Sequence, residues 1–170
     1  MKRFICFLLV VTIFLPIIGC SQKRTASNDE EMLEIIVNNL NTDVIVQIID
    51  TIELDTAILV CYMTGNEYQA HDYGYAEFVN QGNNYRFQRT YSTMDRGMDL
   101  RSALYNNSYL FISNNEKSTG LRICIEDGEE ILIQIDAIPF VYFCENALKS
   151  SNAHSSFEYN FLDKNGDELR

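Results

Sequence analysis

Hydrophobic and polar positions follow three rhythms along this chain. Phe4 to Ile18 is an uncharged, mostly apolar run behind the cationic head Met1-Lys2-Arg3. Ser21 to Asn28 is polar and has no period. Leu33, Ile36, Val37 and Leu40 then recur at helical spacing. Ser27 or Asn28 supplies an N-cap, and Asp29, Glu30 and Glu31 place negative charge on the first turn, where the helix dipole favours it. The pattern predicts one helix that stops near Asn41, because Asn38 and Asn39 weaken its end.

Strand rhythms fill the remainder. "DVIVQIID" is β-branched, and "TAILVCYMT" is a continuous apolar run of the kind found in central strands. "DYGYAEFV" and "YRFQRTYS" flank a hairpin loop at residues 80–84, with "SYLFIS" further on. "GLRICIE" and "EEILIQID" meet at Asp127-Gly128, "FVYFCE" follows Pro139, and "SFEYNFLD" is joined to the last residues at Asn165-Gly166. Leu121, Ile123 and Ile125 point to one face, and Ile131, Ile133 and Ile135 share a face opposite Leu132, Gln134 and Asp136. "TMDRGMDLRSALYNN" is ambiguous: Met94, Met98, Leu100 and Leu104 support a short helix that Gly97 weakens.

Parallel pairing needs helical crossovers, and none shows between the strands. The expectation is a β-rich α+β domain with one N-terminal helix. Its sheet is mainly antiparallel, of about eight or nine short strands, as a sandwich, a curled sheet or an open barrel.

The opening run is too short to span a bilayer. Fifteen residues rise about 22 Å, against ~30 Å of hydrocarbon. That length suits the apolar region of a secretory signal. Ile17-Ile18-Gly19-Cys20 resembles the lipobox of bacterial lipoproteins. The resemblance implies cleavage between Gly19 and Cys20, loss of residues 1–19, and a diacylglyceryl group on the Cys20 sulfur. Residues 20–28 then form the lipidated cysteine and a polar tether, and 29–170 a single domain. The implied location is the extracytoplasmic face of the cell membrane, or an outer membrane where the cell has one. The alternative is an uncleaved anchor with a chance cysteine.

The chain carries 13 basic and 24 acidic side chains, a net charge of −11. Removing Lys2 and Arg3 with the signal leaves 11 basic residues and a balance of −13. Such a surface repels nucleic acid, so no nucleic-acid partner is expected. Of five cysteines, Cys61, Cys124 and Cys144 would remain beyond Cys20. At most one disulfide can join them, and all three sit in apolar, strand-like contexts that suit buried thiols.

Candidate chemistry is sparse. His71 beside Asp72 is the one pairing suited to general acid/base work or metal binding, although strand neighbours point to opposite faces. His154 lies apart in a serine-rich loop. Tyr68, Tyr73, Tyr75, Phe78, Tyr85, Phe87 and Tyr91 crowd one hairpin. Simple alternation puts Tyr73, Tyr75 and Glu77 on one face, and Tyr85, Phe87 and Arg89 together. Tyr73, Tyr75, Tyr85, Phe87 and Arg89 are the candidate ligand surface; cross-strand packing is the other use of such a set. Gly74 marks a bulge or bend.

Arg86, Arg89, Arg96 and Arg101 form a basic patch or, with Asp95 and Asp99 interleaved, ordinary ion pairs. Asp163, Asn165 and Asp167 match the first ligands of a calcium loop, but Glu168 replaces its glycine, so a hairpin turn is read there. Neither metal nor cofactor is predicted. Hydrolase motifs such as GxSxG, SxxK and HExxH are absent. The "HDYGYAEF…NNYRF" hairpin loosely resembles segments of small Gram-positive lipoproteins of unassigned activity, which implies no chemistry. The expected function is a lipid-anchored binding or interaction module for a protein or small-molecule partner. The alternatives are an envelope immunity or inhibitor protein, and a hydrolase or metal-dependent protein using His71 and nearby acids.

Overall fold

The structure is a computed structural model; it describes residues 24–65, 71–125, 129–148 and 157–169. The signal region with Gly19 and Cys20, the Asp127-Gly128 turn, Tyr68 and His154 lie outside the described residues.

Among the described residues the chain forms one helix, α1 (Asp29–Leu40), and twelve strands. They are β1 (Thr25–Ala26), β2 (Val46–Glu53), β3 (Ala57–Thr64), β4 (Asp72–Asn80), β5 (Tyr85–Ser92) and β6 (Met94–Asp95), followed by β7 (Leu100–Tyr105), β8 (Ser108–Ser113), β9 (Gly120–Ile125), β10 (Glu129–Gln134), β11 (Phe140–Cys144) and β12 (Glu158–Leu162). They make three antiparallel sheets. The first has the order β1-β5-β4-β3-β2, the second β11-β8-β7-β6, the third β10-β9-β12. This is the β-rich α+β architecture with one N-terminal helix that the patterning predicts.

The helix ends as its capping residues dictate. Asn28 is extended, and its side chain accepts from the Glu31 amide at 2.9 Å. Glu31 reaches back to the Ser27 amide at 2.7 Å. Asn41 closes the other end at φ 48°, a left-handed value that asparagine tolerates. The buried face is Met32, Ile35 and Ile36, with Leu33, Val37 and Leu40 at its margins.

The elements stack in series: helix, first sheet, second sheet, third sheet. Strand alternation sorts side chains into the three cores between them. On β3, Ile58, Val60 and Tyr62 face α1, while Leu59 and Cys61 face the second sheet. Residues 57–62 are buried throughout, which explains the unbroken apolar run. On β8, Leu110 and Ile112 enter the core shared with the first sheet, and Phe111 enters the core shared with the third. Leu121, Ile123, Ile125, Ile131, Ile133 and Ile135 all face that last core, as their alternation predicts. Cys61, Cys124 and Cys144 are free thiols.

Two readings change. The segment from Met94 to Tyr105 is no helix: β6 and β7 pair as a hairpin, with Gly97, Met98 and Asp99 all at positive φ in its turn. The face assignment on β5 also shifts. Glu77 pairs with Arg89 but Phe78 with Phe87, so Gln88 is an extra residue. This β-bulge turns the chain over between Phe87 and Arg89. Tyr85 and Phe87 therefore pack against the helix-side core, whereas Tyr91 packs on the opposite face. At Gly74 the ladder runs straight through, paired to Tyr62 and Ser92, so the bulge lies at Gln88 and not there.

Candidate functional site

Two clefts lie toward opposite ends of the first sheet, one against the second sheet and one reaching from Tyr62 and the helix C-terminus round to the second sheet. The proximal cleft, about 620 Å³, lies between the β2–β3 turn and the β7–β8 turn. Glu53, Asp55 and Glu145 give it its charge, and Tyr105 and Phe143 form part of its wall. The distal cleft, about 420 Å³, is bounded by Thr64, Asp72, Tyr73 and Ser92 from the first sheet and by Asp95 and Arg101 from the second. Leu40, Thr42 and Val44, at and just after the helix C-terminus, complete the rim.

A polar network stands behind each cleft. Glu77 accepts from the Tyr105 hydroxyl at 2.9 Å and from the Tyr91 hydroxyl at 3.0 Å. Arg89 donates from Nε to the Tyr91 hydroxyl, with its guanidinium 4.5 Å from that ring centre. Tyr75 stacks on Tyr91 at 4.6 Å and donates to the Leu104 carbonyl at 3.2 Å. Burial, reinforced by the Glu77 carboxylate, pushes the Tyr105 phenol up to about 12. Tyr75 and Tyr91 are raised as well, mainly by burial.

The distal network is built on Arg101, which keeps only 8% of its surface exposed. Its NH1 donates to Asp95 Oδ1 and to the Leu100 carbonyl, and its NH2 to the His71 carbonyl at 3.3 Å. The guanidinium lies 5.0 Å from the Tyr73 ring centre. The Tyr73 hydroxyl and Asn114 Nδ2 lie 3.3 and 3.4 Å from His71 Nδ1. Burial raises the Tyr73 phenol to about 12.

The sequence candidates thus divide. Tyr73 and Tyr75 do share a face with Glu77, but both are buried between the sheets. Phe87 is buried and Tyr85 half-buried on the helix side, so the five candidates do not form one ligand surface. The physical reason is the extra residue at Gln88, together with a second sheet that covers the tyrosine face.

The four arginines also disperse. Arg89 and Arg101 serve different networks, Arg96 lies over Tyr159 at 5.0 Å, and Arg86 is exposed opposite Thr25. His71 is half-buried beside Tyr73 and Asn114, and its neighbour Asp72 is exposed on the distal rim. Among the described residues no group of three or more metal-type side chains is placed to hold an ion. Asp163, Asn165 and Asp167 form a turn in which Asp163 Oδ1 accepts from the amides of the other two at 2.8 and 3.0 Å.

Sequence reasoning missed Tyr105 and Asn114. Both come from segments beyond the tyrosine hairpin, 14 and 23 positions after Tyr91, and only recognition of β7 as a strand would have put Tyr105 on the face of Ala103 and Arg101.

The fold defines an antiparallel, three-sheet α+β protein with a cleft toward each end of its first sheet. No family model, no curated protein and no solved structure matches the chain.

Proposed function

We infer that the protein is a lipid-anchored extracytoplasmic binding module, held through a lipid on Cys20 and presenting the distal cleft to its partner. The lipobox-like Ile17-Ile18-Gly19-Cys20 supports the anchor. One geometric observation supports the orientation. The chain enters the fold through β1, which pairs with Tyr85 and Arg86; these adjoin Val79 and Asn80, which in turn adjoin Ala57 and Thr56. That row is the proximal end of the first sheet. The distal cleft lies at the other end of β4, a strand of nine residues and so roughly 27 Å long.

Five residue steps from Cys20 to Thr25 reach at most about 17 Å. A lipid on Cys20 therefore keeps the proximal end near the bilayer and leaves the distal end turned outward. Two acyl chains suffice for stable anchoring.

The anchor is tested by growing cells with labelled palmitate. The parent chain should take up label, and Cys20→Ala should lose both label and processing. Label retained without Cys20, or unchanged processing, refutes the anchor. Orientation is tested separately on intact anchored cells with a bulky maleimide. Asp72→Cys should label faster than Asp55→Cys, above the background of the parent thiols; the reverse order would refute the outward-facing cleft.

A further inference from the structure

We propose that the protein pairs with a second copy of itself through β10, the free edge of the third sheet, so that the two third sheets join into one. The inference is independent of the anchor and of either cleft.

A sheet edge can recruit another chain, and proteins guard their edges accordingly. Among the described residues most edges here are guarded. β1 and β6 are two residues long. β2 carries a bulge between Ile48 and Asp50, and β5 one at Gln88. β11 follows Pro139 and lies against β2. β12 is capped by the chain itself: the Leu169 amide donates to the Phe161 carbonyl at 2.8 Å, and Leu162 bridges to Glu168. β10 has none of these devices. Its ladder to β9 runs without a bulge from Glu129–Ile125 to Gln134–Gly120, and no described strand pairs along its other side. It contains no proline and no lysine. At its centre Leu132 keeps 67% of its surface exposed.

The parity of the ladders decides which backbone groups face outward. Phe161 offers its carbonyl to Leu169, away from β9, so Glu158, Asn160 and Leu162 bond to β9. β9 therefore turns the backbone of Arg122 and Cys124 toward β12, and that of Leu121 and Ile123 toward β10. The Ile135 amide, donating to the Thr119 carbonyl at 3.0 Å, keeps the same parity. On β10 the amides and carbonyls of Ile131 and Ile133 are thus used by β9, and those of Glu130, Leu132 and Gln134 point to the open side.

The order of residues identifies the occupant. Glu130-Ile131-Leu132-Ile133-Gln134 reads nearly the same in both directions. An antiparallel copy with its two-fold axis at Leu132 sets Leu132 against the partner's Leu132, and Glu130 against the partner's Gln134. Each facing pair is then of the kind that exchanges both hydrogen bonds, so every open group of these residues is met. On the core side Ile131 and Ile133, half-buried at the margin of the third sheet's core, meet the partner's Ile133 and Ile131. No like charges face each other. Sliding the copy by two residues loses this match, because Glu130 then faces the partner's Asp136 or Leu132. The complement is this chain's own sequence, which favours a copy over an unrelated strand. The net charge of −11 opposes association. Salt confines that repulsion to about 8 Å at physiological ionic strength. The dimer is therefore weak and concentration-dependent.

The experiment is sedimentation equilibrium of the purified full chain in density-matched detergent micelles at ~0.15 M salt. The mass should rise from one chain to two with concentration. Leu132→Pro should hold it at one chain. The amide it removes serves no bond to β9, so the variant should keep the parent's unfolding transition.

Charge variants at the exposed Glu130 and Gln134 do not depend on the folding of Leu132→Pro. Gln134→Glu sets carboxylates face to face and should weaken the dimer severalfold. Glu130→Lys/Gln134→Glu faces opposite charges and should pair more tightly than Glu130→Lys alone. Net charge predicts the reverse order, because the single variant is the less acidic of the two. One chain at every concentration, a dimer indifferent to Leu132→Pro, or tighter pairing by Glu130→Lys than by the double variant overturns the proposal. Association through the apolar leader or a lipid would survive Leu132→Pro and gives the second of those results.

Discussion

The ring of Tyr62 lies across Gly74, its partner on the neighbouring strand. A Cβ built at residue 74 would stand 2.4 Å from the Tyr62 hydroxyl oxygen and 2.6 Å from the Tyr91 carbonyl. The glycine is thus required by close approach and not by an unusual φ. Gly74→Ala is expected to destabilise the fold by about 1–3 kcal/mol, the usual cost of overpacking. Urea unfolding would measure it. Adding Tyr62→Leu should recover only part of the loss, because the backbone carbonyl of Tyr91 still stands in the way.

The bulge at Gln88 makes a different prediction. Deleting Gln88 removes the half-turn that sends Tyr85 and Phe87 to the helix side and Tyr91 to the other. A one-residue slip puts one of these sets on the wrong face. The deletion should abolish cooperative unfolding, whereas Gln88→Ala should stay within about 0.5 kcal/mol of the parent, as exposed substitutions generally do. A deletion variant that melts like the parent would show that the bulge can migrate.

Glu77 can be read out spectroscopically. Tyr105 ionises near 12 instead of 10 because burial and the Glu77 carboxylate both oppose the phenolate. A phenol whose folded value is raised contributes stability below 10 and loses it as pH climbs through 12. Alkaline titration of tyrosinate absorbance should therefore show a late phase, accompanied by unfolding. Glu77→Gln should move that phase to lower pH. An unchanged late phase would mean that burial alone sets it.

At the other end of the pH scale, Asp163 is held below the ordinary carboxylate value by the Asn165 and Asp167 amides that it accepts. The turn gains from this above the ordinary value, and the gain disappears as pH falls through the lowered one. Carboxyl carbon shifts should place the Asp163 midpoint below the ordinary aspartate value of about 3.9. A midpoint at or above it would contradict the turn geometry.

What could be read from the sequence was local. The limits of α1 follow from Asn28 and Asn41, and the facing of β9 and β10 from strict alternation of isoleucine. The hairpin of β6 and β7 was obscured because Met94, Met98, Leu100 and Leu104 fit a helical period; only the backbone shows Gly97, Met98 and Asp99 turning left-handed. The face of Arg89 was misjudged because a bulge adds one residue and leaves composition untouched.

The distal network is hardest to foresee. Arg101 meets the carbonyl of His71 thirty positions earlier, through the packing of two sheets that nothing local encodes. Ion pairing of Asp95 and Asp99 with the neighbouring arginines was legible, but the particular pair Asp95–Arg101 and its place on the rim of a cleft were not.

The distal cleft has one jaw on each of two sheets: Asp72 on the first and Asp95 on the second. Behind Tyr73, on the face turned to the second sheet, Leu59, Tyr75, Leu110 and Ile112 pack the two sheets together. A change such as Leu110→Ala, which touches no group on the rim, is therefore expected to alter the distal end through the packing of the two sheets alone.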